Sequence, residues 1–233
     1  MDIPPDEATR VEHLLAAQAN AAALFDSVSE LGVIAPGVRE STASDAIRDR
    51  ANEMFGGVRH WHKRIVRSGP NTLQPYRMNP PDRVICPDDI VFCDFGPIFD
   101  GWEADFGRTF VLGDDPMKHR LCADLPVIFE AGRQFYESHL EITGAELFDF
   151  VVAAAVDRGW AWGGTIAGHL VGQFPHDGVE GADVLSRIAP GNNRPMRTVD
   201  SSGNHCHWIL EIHLVERSRQ IGGFHEQLLD VGA

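Results

Sequence analysis

The first part of the chain has the apolar spacing of two amphipathic helices. Over residues 6–31 apolar side chains recur every three or four positions and a glycine follows, which predicts one long helix. Thr42 and Asp45 have the spacing of a capping box, so we expect a second helix to begin there and to end at Phe55. Both helices are expected to serve as scaffold.

Two further helices are predicted in the middle of the chain. One covers about residues 116–139 and the other about 143–158, where Thr143 and Glu146 again have the spacing of a capping box. Their apolar stripes suit packing against a sheet. We therefore assign them a structural role.

Between these helices, two strand-like runs each contain a carboxylate in apolar surroundings. Residues 90–96 and 101–110 are rich in Ile, Val, Phe and Trp and predict a hairpin that carries Asp94 and Asp105. An unpaired carboxylate is costly to bury as an ion. The pair therefore requires a shared cation, a shared proton or outward-facing positions, and we favour the cation.

A similar pair of strands is predicted near the end of the sequence. Residues 207–215 and 222–229 are strand-like and contain Glu211 and Glu226 as isolated carboxylates. If alternation extends the first strand back to residue 205, three histidines share the face of Glu211, and these are His205, His207 and His213. By the same alternation Glu103 shares a face with Asp105. These residues either shape a substrate pocket or lie at the surface and around the site.

A glycine-rich segment surrounds one further candidate. Residues 163–172 contain four glycines around His169, and His176 follows seven residues later. Closely spaced glycines let the backbone approach a ligand or a partner strand. Four carboxylates and one imidazole suit two hard or borderline divalent ions better than one zinc ion in a thiolate site. The candidate ligands are Asp94, Asp105, His169, Glu211 and Glu226.

Composition narrows the classes of partner and compartment. The 233 residues have a formal net charge of −14, which disfavours nucleic acid and anionic membranes as partners. The longest apolar run, residues 150–156, is far too short to span a membrane. The acidic, proline-containing start is unlike a signal peptide, and four scattered cysteines without a C-x-x-C motif predict reduced thiols in a cytoplasmic protein.

The carboxylate motifs resemble those of a known superfamily. Residues 94–96 and 101–109 are similar to the D-x-G … G-Y-x-x-D-x-x-R-T hairpin of the pita-bread metallopeptidases, which include methionine aminopeptidase, aminopeptidase P, prolidase and creatinase. Residues 168–172 resemble the G-H-G-I-G segment of that superfamily, residues 208–211 its f-t-i-E strand, and residues 223–228 its closing G-x-E-x-L-T motif. The resemblance is greatest to the Xaa-Pro peptidase branch.

The resemblance implies a fold. We expect an α/β protein with a curved, mainly antiparallel sheet that is covered by helices and divided into pseudo-twofold halves. One domain is expected over residues 1–233, without the additional N-terminal domain of the prolidases.

The resemblance also implies a set of metal ligands. Asp94 would chelate one ion, His169 and Glu211 would hold the other, and Asp105 and Glu226 would bridge the two. The ions in this superfamily are manganese, cobalt, iron or zinc, and together they hold a bridging hydroxide as the nucleophile.

Other residues would act on the substrate. Glu211 is also the expected proton shuttle, and His176 is the expected donor to the developing oxyanion and a substrate-binding residue. The substrate-binding histidine of the superfamily has no counterpart in residues 72–77, where Tyr76 is the aromatic residue. Tyr76 and either His60 or, as we expect, His62 would take over that role.

Three functions remain open at this point. The leading one is a dinuclear metallohydrolase that cleaves a peptide bond near a free N-terminus, with a small peptide as substrate. The second is a creatinase-like enzyme that acts on a small non-peptide metabolite, and the third is a metal-free protein-binding module. The oligomeric state also stays open, with a homodimer as one option.

Overall fold

The computed structural model describes residues 6–231, which form helices and short strands in alternating groups. The helices are α1 (Glu7–Glu30), α2 (Glu40–Phe55), α3 (Pro116–Ser138) and α4 (Gly144–Asp157). The strands are β1 (Arg59–His60), β2 (Ile65–Ser68), β3 (Ile90–Phe95), β4 (Pro97–Phe99), β5 (Trp102–Glu103), β6 (Phe106–Val111), β7 (Ala161–Trp162), β8 (Gly168–Val171), β9 (His207–Glu216) and β10 (Ile221–Leu228).

The strands form two antiparallel sheets. The main sheet has the order β2-β3-β6-β10-β9-β7, and β8 also pairs with β9. The small sheet has the order β1-β4-β5. The α/β class and the antiparallel sheet predicted from the sequence are therefore confirmed.

Helices cover the main sheet through two clusters of buried apolar side chains. In one cluster, α3 and α4 pack against the even-numbered side chains of β9. The helices contribute Leu121, Ile128 and Leu147, and the strand contributes Trp208 and Leu210. In the other, α1 and α2 pack against β3 and against Ile209 of β9, represented by Leu14, Leu24, Ile47 and Phe95. Glu211 therefore lies on the face of β9 opposite to the one that α3 and α4 cover.

The start of α2 differs from the prediction. The helix begins at Glu40, two positions before Thr42, and no side chain caps it locally. The backbone N–H and the hydroxyl of Ser41 both donate to the carboxylate of Asp82, at 3.0 Å each. The predicted capping box is wrong because a carboxylate from a distant loop satisfies this end of the helix. The capping box of Thr143 and Glu146, in contrast, is confirmed at the start of α4.

The predicted second strand of the hairpin is divided in two. Trp102 and Glu103 pair with β4 in the small sheet, whereas residues 106–111 pair with β3 in the main sheet. A tight turn at Asp100 and Gly101, both with positive φ, folds β5 back on β4. Asp105 consequently lies in the link between the two sheets.

No helix within residues 6–231 combines the length and the apolar character that a membrane span requires.

Candidate metal centre

One row across the main sheet carries three of the predicted ligands. Asp94 on β3 is paired with Gly107 on β6. Gly107 is paired in turn with Glu226 on β10, and Glu226 with Glu211 on β9. Paired residues of antiparallel strands point to the same face, so the three carboxylates share one side of the sheet. A Cβ on Gly107 would lie 2.6 Å from the Phe224 ring, so any larger residue at this position of the row would clash with that ring.

Asp105 and His169 complete the predicted set from outside this row. Oδ2 of Asp105 lies 3.1 Å from Nε2 of His169 on β8. The same nitrogen lies 3.5 Å from Oε1 of Glu211. Nδ1 of His169 donates to the carbonyl oxygen of Leu170 at 2.8 Å, so Nε2 carries the lone pair of the neutral ring. The structure thus brings all five predicted ligands together.

His62 lies in the same group rather than along its edge. It belongs to the loop between β1 and β2, and its side chain is only 7% exposed. Its Nε2 lies 3.0 Å from Oδ1 of Asp105 and 3.7 Å from Oδ1 of Asp94. His60, the other residue considered for the substrate side, packs edge-on against Phe95 instead.

The close packing of these groups shifts their pKa values. Burial raises the pKa of Asp94 to about 7 and raises that of Glu226 well above its usual range, where nearby carboxylates add to the effect. Burial alone would lower the pKa of both histidines, but the carboxylates outweigh it and raise the pKa of His62 to about 10 and that of His169 to about 9. Burial would also raise the pKa of Asp105, yet the two histidines hold it below its usual value. The raised pKa values show that the crowded carboxylates are compensated by protons, and divalent cations would take over that compensation.

The donor set fits divalent cations. Oε2 of Glu226 is buried and has no hydrogen-bond partner in the part of the chain that the structure describes. The ligand atoms of His62, Asp94 and Asp105 all lie within 4.8 Å of one another, and those of Asp105, His169 and Glu226 do so as well. Asp105 belongs to both groups. Carboxylate oxygens and imidazole nitrogens are suitable ligands for manganese, iron, cobalt and zinc.

A buried carboxylate holds His176 next to this group. Nδ1 of His176 donates to Oε2 of Glu103 at 2.6 Å, and the backbone N–H of Gly172 donates to the same oxygen at 3.1 Å. The indole ring of Trp61 lies 6.0 Å from the His176 ring and 5.4 Å from that of His169. Alternation with Asp105 was the signal for Glu103 in the sequence, whereas nothing there singled out Trp61.

Tyr76 lies at the exposed side of the group. Its ring is 5.9 Å from the ring of His62, and 48% of the residue is exposed. Buried Arg67 donates to the carbonyl oxygens of Tyr76 and Met78, at 3.4 and 2.7 Å, and so holds this loop in place. Sequence reasoning missed Arg67, because an arginine in a short strand gives no local signal of the loop that it binds.

The three histidines that share a face with Glu211 have different surroundings. Exposed His205 lines a polar cavity of about 240 Å³ together with His176, so it stays a candidate for the substrate side. His213 is buried, and its Nε2 donates to the carbonyl oxygen of Thr72 at 2.9 Å. His207 is also buried and is bound by two carboxylates. His213 therefore stabilises the fold away from this cavity, whereas His207 contributes to the cavity wall, where its two carboxylate partners hold it.

The ion pairs of His207 give a pH-dependent contribution to stability. Its Nε2 lies 2.7 Å from Glu7 and its Nδ1 lies 3.0 Å from Asp230. Burial alone would lower the pKa of His207, but Asp230 and Glu7 outweigh it and raise that pKa above the unfolded value. The stabilisation is therefore fully present below the unfolded pKa of about 6.5 and is lost as the pH rises through the folded pKa.

We expect His207→Gln to lower the free energy of unfolding by about 1–2 kcal/mol near pH 6 and by less near pH 9. Urea unfolding at the two pH values measures the difference, with His205→Gln as an exposed control. A loss that is larger at pH 9 than at pH 6 would contradict the assignment.

The fold and the site together are those of a metal-binding protein: its antiparallel sheet carries a buried cluster of carboxylates and histidines that suits divalent cations. Residues 12–200 match the family described as metallopeptidase family M24. The chain belongs to this family, and the resemblance found in its motifs is confirmed.

Solved structures with this fold include peptidases. A prolidase from Thermococcus sibiricus superimposes with a TM-score of 0.74 at 18% sequence identity, over 97% of this chain and 57% of that one. An X-Pro aminopeptidase from Thermotoga maritima superimposes with a TM-score of 0.72, also at 18% identity, over 97% of this chain and 60% of that one. The predicted pita-bread fold is confirmed.

A curated relative is similar over part of its length. A protein of Mycoplasma pneumoniae named "Putative Xaa-Pro aminopeptidase" is 30% identical over 115 residues, which are 49% of this chain and 32% of the relative. The chain thus matches about a third of that protein.

Proposed function

We propose that the chain binds two divalent cations and hydrolyses a peptide bond near a free N-terminus, in the manner of an Xaa-Pro aminopeptidase or dipeptidase. The observation that carries this proposal is the convergence of five acidic and imidazole side chains, one of which is Glu226, whose buried Oε2 has no hydrogen-bond partner among the described residues. The similarity to relatives named for Xaa-Pro peptides supports the choice of substrate.

Two groups of residues would hold the ions. Asp94 and Asp105 would hold one, His169 and Glu211 the other, and Asp105 and Glu226 would lie between them. When bound, such ions supply Lewis-acid chemistry, which lowers the pKa of a water molecule and polarises a carbonyl group. Manganese, cobalt, iron and zinc all suit these ligands.

The protein's own side chains would move the protons. Glu211 has a side chain 15% exposed, compared with 3% for Asp105, so it is the carboxylate that water and substrate can reach. It would accept the proton of the attacking water and deliver it to the leaving amine. His176, held through Nδ1 by Glu103, presents Nε2 to the substrate and would stabilise the developing oxyanion.

The substrate and the compartment belong to the same proposal. Tyr76, beside His62, would line one part of the substrate side. His205 and His176 would line another, the cavity of about 240 Å³, which suits a small peptide or small molecule. The net charge of −14 disfavours nucleic acid and anionic membranes. The four cysteines are free thiols, which is in keeping with a cytoplasmic protein. A homodimer is compatible with these features.

A substrate screen tests the proposal. The protein is loaded with manganese or cobalt and incubated with Xaa-Pro dipeptides and Xaa-Pro-Yaa tripeptides, beside matched Xaa-Ala peptides. Mass spectrometry should show that the bond to proline is cleaved and that a chelator stops the reaction. Turnover of small non-peptide C–N compounds alone would favour the creatinase-like alternative, and failure to bind metal would favour the binding module.

Glu103→Gln tests the proposed role of His176. An amide is a weaker acceptor than a carboxylate, so His176 would be less well oriented. We expect kcat to fall about 10–100-fold with little change in KM at full metal loading. Exposed Glu53 provides the control substitution Glu53→Gln. An unchanged kcat in Glu103→Gln would contradict this role for Glu103.

A further inference from the structure

His62 lies next to two of the carboxylates of the proposed metal centre. Its Nε2 lies 3.0 Å from Asp105 and 3.7 Å from Asp94, and the three ligand atoms are mutually within 4.8 Å. Ligands bound to one ion at 2.0–2.2 Å are typically about 3–3.5 Å apart. The group therefore has nearly the spacing of a coordination sphere.

The hydrogen bond on the other ring nitrogen matches that of a predicted ligand. Nδ1 of His62 donates to the carbonyl oxygen of Lys63 at 2.8 Å, and Nδ1 of His169 donates to that of Leu170 at the same distance. In both cases the acceptor is the next residue along the chain. Metal-binding histidines typically donate their second N–H to a carbonyl or carboxylate, which directs the lone pair of the first nitrogen at the ion.

The backbone around His62 is fixed in a way that holds the ring in this position. Trp61 donates its backbone N–H to Gly96 and its indole N–H to Ala104, at 2.9 and 3.0 Å. A Cβ on Gly96 would lie 2.1 Å from the His62 ring and 2.5 Å from the indole of Trp61. The glycine two residues after Asp94 therefore makes room for His62 to reach the carboxylates.

A second reading is that His62 is a cation that replaces an ion. One N–H donates well to one acceptor, and Nε2 is within hydrogen-bonding distance of Asp105 but not of Asp94. A protonated ring would therefore leave Asp94 without a hydrogen bond from it. A metal ion would join Asp94, Asp105 and His62 at once.

We propose that His62 is a metal ligand, which binds through Nε2 the ion that Asp94 and Asp105 hold. Each ion then has one histidine, His62 on one side and His169 on the other. This proposal rests on the proposed metal centre and replaces the substrate-side role expected for His62 from the sequence.

Cobalt binding tests the proposal without relying on activity. Calorimetric titration gives the number and affinity of the sites, and X-ray absorption counts the imidazole ligands for each cobalt ion. The wild type is compared with His62→Ala, with His62→Gln, which keeps a similar volume, and with His169→Ala. His60→Ala is the matched control, because His60 lies on β1, two residues away, and packs against Phe95. Circular dichroism checks folding.

We expect the wild type to bind two ions, with an average of about one imidazole ligand for each ion. In either His62 variant the average should fall to about half an imidazole for each ion. The affinity of one site should fall about 100-fold in the His62 variants, whereas His60→Ala should match the wild type. A count of about half an imidazole for each ion in the wild type would overturn the proposal even if no variant folds. Unchanged or tighter binding in folded His62 variants would overturn it as well.

The same data separate this proposal from the proposed peptidase function. If the protein binds two ions through two histidines but cleaves no peptide, His62 remains a metal ligand and the proposed peptidase function is wrong. A wild type that binds no cobalt would overturn both.

Discussion

Asp105→Asn is expected to lower kcat/KM for an Xaa-Pro peptide by at least about a thousandfold. Asp105 is the carboxylate common to both groups of ligand atoms, and its side chain is only 3% exposed. The amide has nearly the same shape but no negative charge, and one of its two oxygens becomes a nitrogen that does not bind cations. The loss should appear in the number of bound ions as well as in the rate.

Elemental analysis and steady-state kinetics on the same preparation measure both effects. Asp149→Asn is the matched control, because Asp149 is an exposed carboxylate on α4. A fully active Asp105→Asn protein with two ions would exclude the proposed arrangement of ligands. Loss of activity with both ions retained would assign Asp105 to catalysis rather than to metal binding.

Gly168→Ala should destabilise the protein by about 3–5 kcal/mol. Gly168 has φ of +141°, which L-residues rarely adopt. A Cβ there would lie 1.9 Å from the carbonyl oxygen of Ile209 and 2.9 Å from Ile188, so β8 would have to move away from β9. Since His169 follows directly, the ligand geometry should be disturbed as well.

Urea unfolding measures this loss of stability. Gly203→Ala is an informative control, because Gly203 also has positive φ, at +85°, but a Cβ there would meet no atom within 4 Å. It should cost only about 1 kcal/mol, from backbone conformation alone. If the two substitutions cost the same, the close approach of β8 to β9 does not contribute to stability.

Four of the five predicted ligands are carboxylates, which could be found from the sequence for a physical reason. A carboxylate in an apolar strand carries a high cost of burial, and that cost is visible in the neighbouring residues alone. Asp94 illustrates this, since it lies between Cys93 and Phe95 in the sequence and is buried in the fold. Alternation along β9 also placed Glu211 on one face without knowledge of the partner strands.

Other features depend on residues that are far apart along the chain. His62 and Asp105 are 43 positions apart, and their contact follows from the loop between β1 and β2. Glu103 and His176 are 73 positions apart. The failed capping box at Thr42 has the same origin, because Asp82 competes for the start of α2 from a distant loop.

The sequence by itself indicated the helices, most of the strand segments and the four carboxylate candidates, since periodicity and the cost of burying a charge are local properties. Its motifs indicated the family and His169. The tertiary structure alone decided that Asp94, Gly107, Glu226 and Glu211 form one row. It also decided that His62 rather than His60 reaches the carboxylates, and that Glu103 holds His176. The physical reason is that register and loop closure bring these atoms within a few ångströms, and no local pattern specifies either.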